Sequence, residues 1–478
     1  MALPTGASAG EASGGGNALL ATLAMAQFMV VLDFTIVNVA LPSIQHELHI
    51  ATTTLQWLVS AYAVSFGGFL LLGGRLADLF GRARLYRTGL CLFVLASVSG
   101  GLAVEPRLLI ASRALQGLGA ALLAPAGLSL LVTSWPDGPA RGRAVGVYGA
   151  VASAGFASGA LVGGLLVQVS WRLVFFVNVP VGAVLFAISW RLLPADPPRR
   201  SGQLDVPGAL AATAGVALLV FGVTRAGDTL RPAQPTVIVV AAIILLTLFV
   251  WRERRAAAPL LNLGLFKDRS IVGANASLLA YGACNAGAVL LVTLYLQEGR
   301  RLSPLMTGLC FLPQATAAFA VSGPASKLVP ALGPRRALAA GMFISLLALF
   351  GAAISITQAW LPGLLAGLFV MGVSARIIQV ASTLAGTRGP VAAQAEGSAS
   401  AVLTSTRQVG SALGVAVLSA VLEIAAGSAS HRTGVAMLAA ASFSLLGLLV
   451  TGVVPAGPAR PHVPRLEHLF PRHAGGLP

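Results

Sequence analysis

Two residues of opposite charge stand inside apolar runs of this chain. Asp33 lies in the stretch VVLDFTIVNVALP, which ends at Pro42, and Arg113 lies in LLIASRALQGLGAALLAP, about two turns after Pro106. An ionised group at the centre of a hydrocarbon layer costs about 2.5–3.5 kcal/mol, so each marks a functional site with a partner. The chemistry open to them is proton chemistry. A carboxylate takes up and releases a proton, whereas a guanidinium keeps its charge and needs an acid or water beside it. Asp33 is about 8 residues, roughly 12 Å, from the end of its run, and Arg113 is about 7 residues, roughly 10 Å, from the corresponding end of its own. The two charges therefore share a layer. The plainer alternative is that Asp33 bonds only its neighbours Thr35 and Asn38 and holds helices together. Asn38 and Gln116, amides on the same two runs, are candidate cavity residues.

The elements that must position them are membrane helices. Of 478 residues, 56% are hydrophobic and 10% charged, against about a quarter charged in soluble proteins. Mean hydropathy is +0.85. Runs of about 20 apolar residues recur from one end to the other. Broken at Gly, Pro and charge, they give about fourteen spans, centred near Met29, Ser65, Val94, Leu118, Gly155, Val181, Gly215, Ile243, Gly282, Ala315, Leu346, Gly372, Gly410 and Leu445. The pair near Gly215 and Ile243 is the weakest, because Arg225, Asp228 and Arg231 interrupt it.

The net charge of +16 resides in short clusters between the runs, which is how a membrane protein fixes orientation and not how a nucleic-acid groove is built. With the N-terminus inside, roughly three basic residues fall on the cytoplasmic side for each one opposite, and both termini are cytoplasmic. The tail 1–17 lacks Lys and Arg, so the first run is read as a span and not as a cleaved signal. Cys91, Cys284 and Cys310 have no paired spacing, and no His cluster offers metal ligands. No phosphate-cradling glycine pattern precedes Lys267 or Lys327, which argues against a nucleotide-driven pump, and no nucleophile or metal cluster suggests an enzyme.

Three further patterns carry information. GGRLADLFGRARLYR joins the second and third runs, with Gly74, Asp78, the turn residue Gly81, and Arg82 and Arg84 opening the next helix. The acid can interact with an adjacent helix N-terminus or with the arginines, or the arginines merely anchor topology. Gly155, Gly159 and Gly163 recur every four residues, with Gly164 beside them, making a smooth stripe for close helix packing. Arg376 and Arg407 lie within runs of the second half, where at least one should line a cavity, with Glu396 and Glu423 as the nearest acids.

LDFTIVNVALP, GRLADLFGRAR, RALQGLGAA, the glycine stripe and WRLVFFVNVPVG, in this order, resemble the major facilitator superfamily, and more narrowly its fourteen-span drug:proton antiporters. The resemblance is specific over residues 18–200; beyond that it rests on span count and on TRQVGSALGVAV (Thr406 to Val417). It implies an all-α polytopic fold with two six-helix bundles (18–200 and 261–456) around a cavity. Two inserted helices (201–260) and cytoplasmic tails (1–17 and 457–478) complete the division. It also implies roles: proton coupling for Asp33 and Arg113, a cytoplasmic gate at Gly74, Asp78, Gly81, Arg82 and Arg84, and an antiporter-type helix at Gly155, Gly159, Gly163 and Gly164. Three departures stand out. Ala160 follows the middle glycine where the family has Pro, Leu79 follows the gate acid where the family has a basic residue, and GPASKLVPALGPRR in the second half lacks the acid.

The expected function is proton-coupled efflux of drug-like or antibiotic molecules by alternating access, conferring resistance. The alternative is export or symport of an endogenous metabolite. The expected substrate is amphipathic or cationic, the coupling ion a proton with no other cofactor, and the protein a monomer in the inner (plasma) membrane.

Overall fold

The computed structural model describes residues 14–135, 139–193, 205–225, 233–256, 259, 261, 263–386 and 396–455. Its regular elements are helices, as apolar runs in a bilayer require: with no water to meet them, backbone N–H and C=O groups must pair within the segment. Leaving aside the four-residue helices Thr52–Leu55 and Leu173–Phe176, the first six are α1 (Gly14–Leu48), α2 (Trp57–Phe80), α3 (Arg82–Gly101), α4 (Pro106–Ser134), α5 (Pro139–Val169) and α6 (Asn178–Leu192). Next come α7 (Val206–Thr224) and α8 (Ala233–Glu253). The rest are α9 (Arg269–Leu294), α10 (Pro304–Cys310), α11 (Leu312–Ala320), α12 (Ser322–Leu332), α13 (Pro334–Thr357), α14 (Leu361–Gly386), α15 (Glu396–Ile424) and α16 (Ala429–Val450).

Local chemistry sets several starts. Asp205 accepts from the Gly208 N–H at 2.9 Å, Asp268 from Ser270 at 2.8 Å, and Ser303 from Met306 at 3.2 Å, each satisfying an orphan donor of a first helical turn. Gly81 and Gly333 end their helices at φ 104° and 80°, a backbone region open to glycine, so the chain reverses tightly at equivalent points of the two halves.

Each of the fourteen centres expected from the sequence falls within a helix. Among the described residues, eleven helices are long and apolar enough to cross a membrane, and the pair Pro304–Ala320 and Ser322–Leu332, bent by 53°, makes a twelfth if it is one span. The suspect pair α7 and α8 qualifies, whereas α3 and α5 do not. α3 opens on Arg82, Arg84 and Arg87, which lowers its hydropathy without changing its length, whereas α5 is apolar and uncharged from Val145 onward and its longest continuously described stretch is Ser158–Val169.

α1 to α6 supply one apolar cluster, around Tyr62, Tyr86, Phe93 and Leu123, and α9 to α16 supply a second, around Leu291, Leu338, Leu349 and Leu368. A third cluster joins the two, with Ile36, Val37 and Leu41 of α1 sharing it with Ala286, Leu290 and Leu294 of α9. α7 packs in the seam between α2 and α15 through Val216 and Val220, against Ala63, Val64, Ala412 and Ala416. α8 packs on α7 and buries only 11% of its apolar window, so it is the outermost helix.

Polar contacts tie helix ends in pairs. At the arginine-rich end, Arg87 donates to the Ser189 carbonyl at 3.0 Å and covers the Trp190 ring, and Arg252 meets Asp205 at 2.6 Å. At the opposite end, Arg172 pairs with Glu47, and Arg300 donates to the Ala359 carbonyl at 2.5 Å. These pairs agree with helices that alternate in direction. The loop arginines Arg199, Arg200, Arg231 and Arg388, and the tail arginines Arg460, Arg465 and Arg472, lie outside the described residues.

Candidate functional site

Five of the first six helices converge on one carboxylate. Asp33 of α1 has no exposed surface, and Arg113 of α4 is 1% exposed. Arg113 Nη1 donates to Asp33 Oδ2 at 2.6 Å and to Gln116 Oε1 at 2.9 Å, while its Nε donates to the Leu58 carbonyl of α2 at 2.9 Å. The guanidinium also lies 4.4 Å from the centre of the Tyr62 ring, a face that favours a cation. Asp33 Oδ1 accepts from Gln116 Nε2 at 3.0 Å and from Asn178 Nδ2, the first residue of α6, at 2.7 Å. Ser97 of α3 closes the set, accepting from Gln116 Nε2 at 2.8 Å.

The charges pair as their equal depth suggested. Thr35 and Asn38 do not bond Asp33: Thr35 donates to the Leu32 carbonyl at 3.0 Å and Asn38 to the Phe34 carbonyl at 3.0 Å, the usual resort of such side chains within a helix. The reading in which they were the partners of Asp33 is therefore set aside. Gln116, expected in the cavity, instead bridges Asp33 and Arg113 with no exposed surface. Asn178 escaped the sequence reading, although WRLVFFVNVPVG contains it. Its signal was an amide inside an apolar run, the same signal that singled out Asn38.

A cavity lies on the other face of α1. Phe34, Thr35, Asn38 and Val39 line it from α1, Val59 from α2 and Ala160 from α5, with Asn285, Ala286 and Val289 from α9 and Phe311, Gln314 and Ala315 opposite. At about 100° per residue, positions 34, 35, 38 and 39 centre on the side of the helix away from 33. α1 thus carries the ion pair on one face and the cavity on the other. The lining is apolar apart from Thr35 and three amides. Gln314 Nε2 donates to Asn285 Oδ1 at 3.4 Å, and Gln314 Oε1 is buried with no partner among the described residues. No charged residue lines this cavity.

The glycine stripe of α5 holds α1 in place. A Cβ on Gly155 would meet the Phe28 carbonyl at 2.8 Å, on Gly159 the Thr35 hydroxyl at 1.8 Å, and on Gly163 the Ile36 carbonyl at 3.0 Å. Gly164 faces α10 instead, where a Cβ would meet the Pro304 carbonyl at 2.7 Å. Ala160 lies within an unbroken α5, and its carbonyl is 2.2 Å from where a Cβ on Gly308 would be. α5 is therefore wedged between α1 and α10, and joins the two halves.

The gate residues end α2 and begin α3. Gly81 makes the turn, with its N–H on the Ala77 carbonyl at 3.1 Å. Arg82 and Arg84 open α3, where basic residues oppose the helix dipole and so contribute nothing to helix stability. Gly74 has room around it, the nearest atom to an added Cβ being 4.0 Å away; the close approach of α2 to α4 is at Gly73, where an added Cβ would lie 2.1 Å from the Ala121 carbonyl oxygen. The side chain of Asp78 lies outside the described residues, as does that of Glu396. Arg407 donates to Gln379 Oε1 at 3.0 Å and lines a second cavity, while Arg376 lines neither. Glu423, one of the two acids proposed as partners, is exposed on the last turn of α15 and does not pair with Arg407.

The Major Facilitator Superfamily family model matches residues 23–415. The puromycin resistance protein pur8 of Streptomyces alboniger is 39% identical over 416 residues, covering 84% of this chain and 81% of that one. The cephamycin export protein CmcT of Amycolatopsis lactamdurans is 37% identical over 463 residues, covering 93% and 94%. Among solved structures, a bacterial homologue of the human lysosomal transporter Spinster, in an inward-facing and occupied conformation, superposes with TM-score 0.67 at 15% identity, covering 93% of this chain and 97% of that one. With the match spanning both halves and the cavity between them, this chain belongs to the Major Facilitator Superfamily of membrane transporters.

Proposed function

We propose that this protein is a proton-coupled exporter of drug-like or antibiotic small molecules, in which Asp33 carries the proton. The observation that supports this best is the position of α1, with a paired, buried carboxylate on one face and an apolar, amide-bearing cavity on the other. Ionised, Asp33 holds Arg113, Gln116 and Asn178 around it and so binds α1 to α4 and α6. Protonated, it loses the charge attraction to Arg113, and its new O–H needs an acceptor. Asn178 Oδ1 is buried without a partner among the described residues and supplies one if the amide turns over. α1 is then freed to shift, and the cavity on its other face changes with it. Substrate and proton exchange because each favours a different state of one two-state element.

Fourteen spans, both termini in the cytoplasm, the inner membrane and a monomer complete the reading, as does the division into bundles 18–200 and 261–456 with helices 201–260 between them. The arginine-rich end is then cytoplasmic, and Gly74, Asp78, Gly81, Arg82 and Arg84 act in its gate. The cavity lining supports an amphipathic substrate and gives no carboxylate for a cation. The names of the puromycin, cephamycin and lincomycin relatives support an antibiotic as that substrate. The test is a susceptibility panel in a pump-deficient host expressing the chain, with collapse of the proton gradient as control. Raised tolerance that vanishes with the gradient is expected. Unchanged tolerance across the panel would favour export of an endogenous metabolite.

A further inference from the structure

The second cavity has a chemistry unlike the first. Its lining is Leu278 of α9, Gln379 and Thr383 of α14, and Leu403, Thr404 and Arg407 of α15. It lies in the third of the second half nearest the arginine-rich end. Arg407 spends one of its five N–H groups on Gln379. Arg376, Gln379 and Thr383 follow one another at i, i+3 and i+7, so they share a face of α14. Arg376 Nε is buried and has no partner among the described residues. No carboxylate among the described residues forms an ion pair with either arginine. Arg407 is thus held inside a membrane helix beside the Gln379 amide and threonine hydroxyls, and neither it nor Arg376 has a counter-charge among the described residues. Arg113 shows the contrast, since its charge is met by Asp33 at 2.6 Å.

The geometry points to an anion site here: Arg407, with Arg376 one turn away from its Gln379 partner, binds an acidic group, a carboxylate or a phosphate. A guanidinium offers paired parallel N–H donors that match either group, which a cavity lined by amides alone does not. Thr383, exposed at the rim, gives the group a way in. The acidic group belongs either to a transported molecule whose apolar part extends away from the arginines, or to the headgroup of an anionic lipid. The site is distinct from the ion pair on α1 and is read by binding alone, so its failure leaves the proton-coupling reading untouched.

The test uses the purified full chain in nanodiscs of phosphatidylcholine, with two probes of one shape: dansylglycine, which carries a carboxylate, and its uncharged methyl ester. Fluorescence titration should give the acid an affinity about tenfold higher than the ester. That preference should disappear in Arg407→Gln, fall severalfold in Arg376→Gln and survive in part in Arg407→Lys, with all variants monodisperse on size exclusion. Repeating the titration with phosphatidylglycerol in the disc separates the sources. Loss of the acid preference there identifies a lipid phosphate as the occupant, and its persistence identifies a soluble acid; both support the anion site. Equal affinity for acid and ester, or a preference that survives both Arg407→Gln and Arg376→Gln, overturns it.

Discussion

Asn178 Nδ2 stands 2.7 Å from Oδ1 of Asp33, from a helix that begins 145 residues further along the chain. Arg113 engages the other oxygen, so the carboxylate is held from two sides and its orientation is set by three helices at once. Replacing Asn178 by Leu removes both a donor to ionised Asp33 and the acceptor available to its protonated form. Losing one hydrogen bond to a buried charge costs about 1–3 kcal/mol. Thermal unfolding in detergent should show a lower midpoint, and gradient-driven transport should slow. Asn178→Leu added to Asp33→Asn should cause little further loss of transport, because both act on the same proton.

Asp33→Asn keeps the shape of the side chain and cannot titrate. The protein should still insert, since a membrane-buried charge is removed. Arg113 then lacks its counter-charge, but three neutral acceptors remain around it: Gln116, the Leu58 carbonyl and the Tyr62 ring face. Arg113→Ala should express less well, because leaving a buried charge unpaired costs about 3–5 kcal/mol. In vesicles with an imposed pH gradient, both variants should fail to move substrate against its concentration. Accumulation by Asp33→Asn at the parental rate would make Asp33 structural.

Gly159 and Thr35 are in such close contact that a Cβ on the first would overlap the hydroxyl of the second. Gly159→Ala should therefore force α1 and α5 apart and lower transport, with overpacking of this kind costing about 1–3 kcal/mol. Thr35→Ala removes the obstructing hydroxyl. The double variant should regain much of the transport and thermal stability lost by Gly159→Ala alone, measured in the same vesicles. No recovery in the double variant would mean that the stripe acts through some contact other than this one.

Orientation follows from where the basic residues fall. Reporter fusions after residues 200, 260 and 478 should all report the cytoplasm. A periplasmic signal at 260 would mean that one of α7 and α8 does not cross.

Much of this was legible in the sequence because a bilayer imposes simple rules. A helix that crosses must be long and apolar, so composition and run length placed all fourteen helix centres, α7 and α8 included. A charge in such a run is rare, so Asp33 and Arg113 stood out, and helical rise put them in one layer. Depth says nothing about azimuth, however. Which neighbour a side chain faces depends on how six helices are rotated and packed, and only the tertiary structure decided that Asn178 and Gln116 complete the carboxylate's shell and that Thr35 and Asn38 turn to the cavity. For the same reason the second half resisted the sequence reading. Arg407 looked for an acid along its own helix, where local spacing offers Glu396 and Glu423, and found Gln379 on the next one. Periodicity along one helix is encoded locally; contact between helices is settled by the packing of the whole bundle.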